Sequence, residues 1–347
     1  MNNNNRKRAL VLSGGGGRGA YHVGVLRFLE EHDWTPDIIV GTSIGAVNGA
    51  AIASGHTAQS LWAMWRRLKT KDVQRPNLNP LNGTFLLNTD PLRQTLINEK
   101  WLNFDRINDK NNPIHLRVTA TEISTGHLHV FGNSPDIYPS QMRREHLTLD
   151  HIIASCSIPI VYPATELHGR YYWDGATVAN TPLGPAIDAG AEEIVVVIMT
   201  PWDDDGSPPP AQEPSGLVGA ASMTLEWALL ASFQSDLKLF RHVNELMRLQ
   251  LENARLRAAN MALRQHMTGS QDIDPQLLID ENNDGVPDIF QKSYKQLPDP
   301  IIVAPHAPIP VEQIISYTTD GHQNVYNMGY QDAKRAWRQT GRTVEGE

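Results

Sequence analysis

Cysteine is almost absent from this 347-residue chain, which carries only Cys156. An intramolecular disulfide framework is therefore excluded, and a reducing compartment is expected. Long apolar runs are missing too. The opening "MNNNNRKRALVLSGGGG" holds too short a hydrophobic stretch for a signal sequence, and nothing later approaches the roughly 20 apolar residues of a membrane span. Positive charge is in deficit, with 30 Lys and Arg against 38 Asp and Glu and a formal net charge of −8. That balance argues against a nucleic-acid partner and against recruitment to anionic membranes by overall charge, leaving only a local basic strip for the latter. The 13 histidines show no H-E-x-x-H or comparable spacing, so no catalytic metal is expected. The expected protein is cytoplasmic, at most peripheral at a membrane surface.

What is present is an alternation of strands and helices. "RALVLSGGGGRGAYHVGVLRFLEEH" reads as a buried strand, a glycine loop, then a helix with Val23, Leu26 and Leu29 at helical spacing. "PDIIVGTSIGAVNGAAIASG" repeats the plan, with a tight turn at Ser43. "IHLRVTATEI" and "HLHVF" form a strand pair about a Ser-Thr-Gly turn. "EEIVVVIM" has the apolar, β-branched character of a central parallel strand. The pattern predicts an α/β fold with a mainly parallel sheet, organised as a core over 9–200, an acidic Pro-rich linker over 201–216, and a helical region over 217–347. A late strand ("PIIVAP") and a C-terminal helix should return to the core.

The chemistry concentrates in a few short stretches. A G-x-S-x-G string arises from composition alone in about one chain in ten of this length, so context decides. Around Ser43, Gly41 and Gly45 let a strand turn sharply into a helix, leaving the serine exposed at the strand end with a helix N-terminus behind it. That context predicts a nucleophile. "GGGGRG" (14–19) fits either a dinucleotide loop or an oxyanion hole of bare N–H groups at a helix N-terminus. A dinucleotide loop needs a carboxylate closing a second strand about twenty residues on, where this chain has "EEHDWTPD". "WDGA" (173–176) places Asp174 at a strand end, where it can orient or deprotonate a serine.

Taken together and in order, "GGGGRGAYHVGVL", "GTSIGAVNGA", "ASCSIPIVYP" and "YYWDGATVANTPL" resemble the patatin-like phospholipase family over about residues 9–200. The resemblance implies a patatin-like three-layer fold and a Ser–Asp dyad that hydrolyses acyl lipids and requires no cofactor. Ser43 would be the nucleophile and Asp174 the base. Gly15, Gly16 and Gly17 would form the oxyanion hole, Arg18 and Gly19 would support that loop, and Gly175 and Ala176 would complete the aspartate motif. Asp174, beside a helix N-terminus and N–H donors, is expected to be held in its charged form, with kcat/KM still near its plateau at about pH 5.5. The alternatives are a Ser-Asp-His hydrolase, with His242, His266, His306 and His322 downstream, and a nucleotide- or lipid-binding module without catalysis.

Two further stretches stand apart. Asp280, Asn282, Asp284 and Asp288 match the start of a calcium loop, but Gln291 stands where its bidentate Glu belongs, so the stretch reads as a solvated Asn/Asp turn, with a structural calcium site as the alternative. Leu230, Phe233, Leu237, Phe240, Asn244, Met247, Leu251 and Ala254 form a heptad seam. A docked helix, a homodimer contact over 225–261 and a lipid-surface helix all fit that seam.

Overall fold

The computed structural model describes residues 6–78, 85–134, 142–144, 146–202, 216–268 and 297–342. The calcium-loop stretch and most of the Pro-rich linker lie outside these residues.

The strands are β1 (Arg8–Leu12), β2 (Ile38–Thr42), β3 (Arg75–Pro76), β4 (Leu87–Asn88), β5 (His115–Glu122), β6 (Leu128–Gly132), β7 (Met142–Arg144), β8 (Thr165–Leu167), β9 (Arg170–Asp174), β10 (Glu193–Val197) and β11 (Ile301–Val303). The helices are α1 (Ala20–Glu31), α2 (Ile44–Ala53), α3 (Ala58–Trp65), α4 (Thr70–Val73), α5 (Asp90–Asn98), α6 (Phe104–Ile107), α7 (Leu149–Ser155), α8 (Gly184–Asp188), α9 (Gly216–Thr268) and α10 (Thr319–Gln339).

The main sheet runs β11-β10-β1-β2-β5-β6-β7. It is parallel from β11 to β5, and β6 returns antiparallel against β5. The apolar runs of β1, β2 and β10 are the reason. Their residues are almost wholly buried, as strands covered by helices on both faces must be. Strand order reverses beside β1, and in such sheets a crevice opens there, at the carboxyl ends of the strands.

The late strand and the C-terminal helix belong to the unit that carries the sheet. β11 joins the sheet beside β10. Helix α10 buries Val325, Tyr326, Gly329, Ala333, Ala336 and Trp337, spaced to form one face. It crosses α1 backbone to backbone. A Cβ on Gly24 would lie 2.0 Å from the Tyr326 carbonyl oxygen, and one on Gly329 would lie 2.2 Å from that of Tyr21.

The chain divides into two compact units, one of Met1–Asp236 with Pro300–Glu347 and the other of Leu237–Asp299. The unit that carries the sheet therefore extends past residue 200. Pairing of β11 with β10 draws the C-terminal stretch into it. In the smaller unit, Arg241 pairs with Asp299 at 3.1 Å. Asn244, the polar member of the heptad seam, donates to the Leu297 carbonyl and accepts from its N–H.

Candidate active site

The strand register brings the sequence-predicted residues to one end of the sheet. Thr42 pairs with Thr119 across β2 and β5, and Ala120 pairs with Asp174 across β5 and β9. Ser43, one residue past β2, and Asp174, the last of β9, thus end side by side. The Thr42 and Thr119 hydroxyls bond each other at 2.7 Å, and Thr121 Oγ1 donates to the Asp174 carbonyl at 3.1 Å, pinning the two strand ends.

Ser43 takes φ 56° and ψ −125°, a conformation an L-residue holds only when its surroundings impose it. The imposing groups are close. A Cβ on Gly41 would stand 2.5 Å from the Gly45 carbonyl oxygen, and one on Gly45 2.2 Å from that of Leu12. Both positions require glycine. The Ser43 N–H donates to Ser155 Oγ at 2.9 Å.

The glycine loop lies against this elbow. A Cβ on Gly14 would sit 3.0 Å from Ser43 Cβ and 3.6 Å from Ala176 Cβ, and the Gly14 N–H donates to Asn180 Oδ1 at 2.9 Å. Gly16 to Gly19 form a short 3-10 turn closed by the Arg18 N–H on the Gly15 carbonyl. The N–H groups of Gly15, Gly16 and Gly17 meet no acceptor among the described residues. The far side of the loop is covered by residues 310–316. Cβ atoms on Gly16 and Gly17 would stand 2.0 Å and 2.4 Å from the Ile314 and Gln313 carbonyl oxygens, and buried Arg18 reaches the Pro310 carbonyl through Nε. Gly19 packs on Ile44 and the Trp65 ring.

Asp174 is buried, its Oδ1 accepting from the Ala176 N–H at 2.8 Å. Gly175 lets this turn lie on Thr119, whose Oγ1 would be 2.4 Å from any Cβ there. Burial raises the carboxyl from 3.8 to about 7, against the opposing pull of the Ser43 hydroxyl and the Ala176 N–H. The Ser43 hydroxyl therefore faces the carboxyl, yet Oδ2 accepts no hydrogen bond of normal length and angle among the described residues. Such bonds are commonly loose without substrate. The expectation that Asp174 stays charged well below neutrality is corrected: loss of water outweighs the few donors present. Burial, and then the Asp174 charge, push the Cys156 thiol up, as suits a small buried side chain.

The downstream histidines lie elsewhere in the chain's contacts. His306 pairs with Asp332 at 2.9 Å, His322 stands edge-on to Trp65, and His242 Nδ1 contacts the Lys238 carbonyl. The side chain of His266 is outside the described residues. Sequence reasoning missed Asn180 and Ser155, which hold the glycine loop and the elbow through backbone bonds. The only local signal was their presence inside the motif stretches. No group of three or more His, Cys, Asp or Glu able to hold a metal occurs among the described residues, and none of their helices is long and apolar enough to cross a membrane.

The family model described as patatin-like phospholipase matches residues 10–187, just over half of the chain. The chain belongs to the patatin-like phospholipase family. Within reach of that family, it is 29% identical over 200 residues to lysophospholipase NTE1 of Cryptococcus neoformans, a stretch covering 54% of this chain and 11% of the fungal protein. It is 31% identical over 172 residues to triacylglycerol lipase 5 of Saccharomyces cerevisiae, covering 43% and 21% of the two chains. An uncharacterised NTE family protein of Mycobacterium bovis is 26% identical over 219 residues, with 60% and 51% covered. The chain thus spans only a small part of the fungal relatives. Among solved structures, VipD from Legionella pneumophila aligns with a TM-score of 0.42 at 13% identity, covering 96% of this chain and 67% of that one. That likeness is too distant to carry any residue across.

Proposed function

We propose that the protein is a serine hydrolase of acyl lipid esters working through a Ser43–Asp174 dyad. The observation that carries this reading is the Ser43 elbow: a strained serine, touching a glycine loop with unbonded N–H groups, its hydroxyl facing a buried carboxyl. Oγ attacks the ester carbonyl while its proton passes to Asp174, and the N–H groups of Gly15, Gly16 and Gly17 take the developing oxyanion. Collapse expels the alcohol, which takes the proton back from Asp174 and leaves an acyl group on Ser43. Asp174 then takes a proton from a water whose oxygen attacks the acyl carbon, and returns that proton to Ser43 Oγ as the Oγ–acyl bond breaks and the carboxylic acid leaves. A base with a pKa near 7 matches this duty, because it both accepts and returns a proton at neutral pH. The names of the relatives favour lysophospholipids and triacylglycerols as the first substrates to try.

The test is covalent labelling by a fluorophosphonate probe, with turnover of a soluble short-chain ester. Ser43→Ala should lose both, turnover falling by several orders of magnitude, while circular dichroism stays unchanged. Residual turnover of more than a few per cent, or labelling that persists, would rule the dyad out. A lysophospholipid and triacylglycerol panel then fixes the substrate class.

A further inference from the structure

The net charge of −8 conceals one strongly basic stretch. Residues 66–78, "RRLKTKDVQRPNL", hold five basic side chains and one acidic residue. Arg66, Arg67, Lys69, Lys71 and Arg75 are all exposed. Asp72 is occupied in capping the Lys69 N–H, and Asp90 answers Arg75 at 2.9 Å. The other basic side chains of the strip have no acidic partner in any ion pair of the described residues.

This stretch is bonded directly to the walls of the Ser43 site. Gln74 donates to the Ile315 carbonyl at 2.6 Å and accepts from the Tyr162 hydroxyl. Thr70 Oγ1 accepts from the Tyr317 N–H at 3.0 Å. Through these bonds it adjoins the segment covering the glycine loop and the "SIPIVYP" stretch beside Asp174. Large apolar side chains stand out into solvent from the same walls: Ile160 is 71% exposed, Leu86 55% and Ile315 44%. Ile160 is also at φ 69°, a costly conformation for a β-branched residue, and is held there by the Leu86 N–H on its carbonyl at 2.9 Å. Strain kept in order to expose an isoleucine is hard to account for by folding alone, since it sacrifices both backbone comfort and burial.

We propose that this face, basic along 66–75 and apolar at Leu86, Ile160 and Ile315, seats the protein on an anionic lipid surface beside the Ser43 site. Exposed apolar side chains enter the interface between headgroups and chains, while Lys and Arg meet the headgroup charge. The use of this face rests on the lipid-hydrolase reading, but its binding is measured without catalysis.

The experiment uses full-length Ser43→Ala protein, which cannot consume the vesicles, in flotation with phosphatidylcholine vesicles and with vesicles enriched in phosphatidylglycerol. Binding should be much tighter to the anionic vesicles and should weaken as salt rises. The combined Arg66→Gln, Arg67→Gln, Lys71→Gln change should cost about fivefold per charge, hence about a hundredfold, with soluble-ester turnover of the Ser43 enzyme unaltered. Equal binding to both vesicle types, no binding, or an unweakened triple variant would overturn the proposal. So would equal affinity for a short DNA duplex, which would show bare charge attraction. Should the triple variant fail to fold, the salt titration of the Ser43→Ala protein decides alone. Failure of the hydrolase reading shows separately, as absent probe labelling of the Ser43 enzyme.

Discussion

Asp174 carries the sharpest consequences at the scale of single residues. Its carboxyl is raised to about 7 by burial, so the base is protonated and idle below that pH. We expect kcat/KM for a soluble ester to fall about tenfold per pH unit below 7; a plateau reaching pH 5.5 would contradict the burial account. Because a histidine base gives a similar limb, variants must separate the two. Asp174→Asn should be nearly inactive, whereas Gln at His242, His306 or His322 should not approach that loss in a folded enzyme. The same shift bears on stability. The folded pKa lies above the unfolded value of 3.8, so the contribution is fully present below about pH 4 and lost as pH rises through 7. At pH 8 the buried charge is a liability, and Asp174→Asn should raise the melting temperature by about 2 °C or more as it removes activity.

At the scale of elements, the α1–α10 crossing is what closes the back of the site. The covering segment over the glycine loop runs straight into α10, and α10 is held to α1 by Gly24 and Gly329 meeting opposite backbones. Asp332 on α10 adds a buried bond from Tyr21 at 3.0 Å and a half-buried one from His306. Gly329→Ala must push the helices apart, and overpacking of this kind costs about 1–3 kcal/mol. We expect a melting temperature lower by several degrees in calorimetry, with kcat reduced more than KM is raised, because the shifted segment lets the glycine loop drift. An unchanged melting temperature would mean the crossing is more compliant than its contacts indicate.

For the whole molecule, two buried histidines contribute to acid sensitivity. Burial lowers His22 to about 3, and it lowers His322 to about 4 against a Trp65 backbone contact. Folded values below the ordinary 6.5 mean that their stabilisation is complete above 6.5 and is lost as pH falls. Asp174 works in the opposite direction over the same range, so these three groups together take up one net proton on unfolding between about pH 4 and 6.5. Their joint contribution to stability should therefore decline by about 1.4 kcal/mol for each pH unit that the pH falls there. His322→Phe, which keeps a ring against Trp65, should flatten that slope in a series of thermal scans. A slope as steep as in the parent protein would place the acid sensitivity elsewhere.

Much of this was written in local sequence. The apolar, β-branched runs of β1, β2 and β10 specify buried parallel strands because no amphipathic alternation fits them. Gly41, Ser43 and Gly45 specify the elbow because only glycine tolerates the contacts on either side of the serine. The order of the motif stretches pointed to the family that the comparison bears out. Other features depended on residues far apart in sequence, and only the tertiary structure decided them. Asp174 looked like a charged residue among N–H donors until the packing of β9 on β5 removed its water. Asn180 and Ser155 became supports of the loop and elbow only when folding brought them to Gly14 and Ser43. The basic stretch at 66–78 gained a meaning only beside Ile160 and Ile315. A pattern along the chain determines what each segment is, since propensity and burial act over a few residues. Desolvation, field and shared surfaces act through space, so the three-dimensional fold sets them.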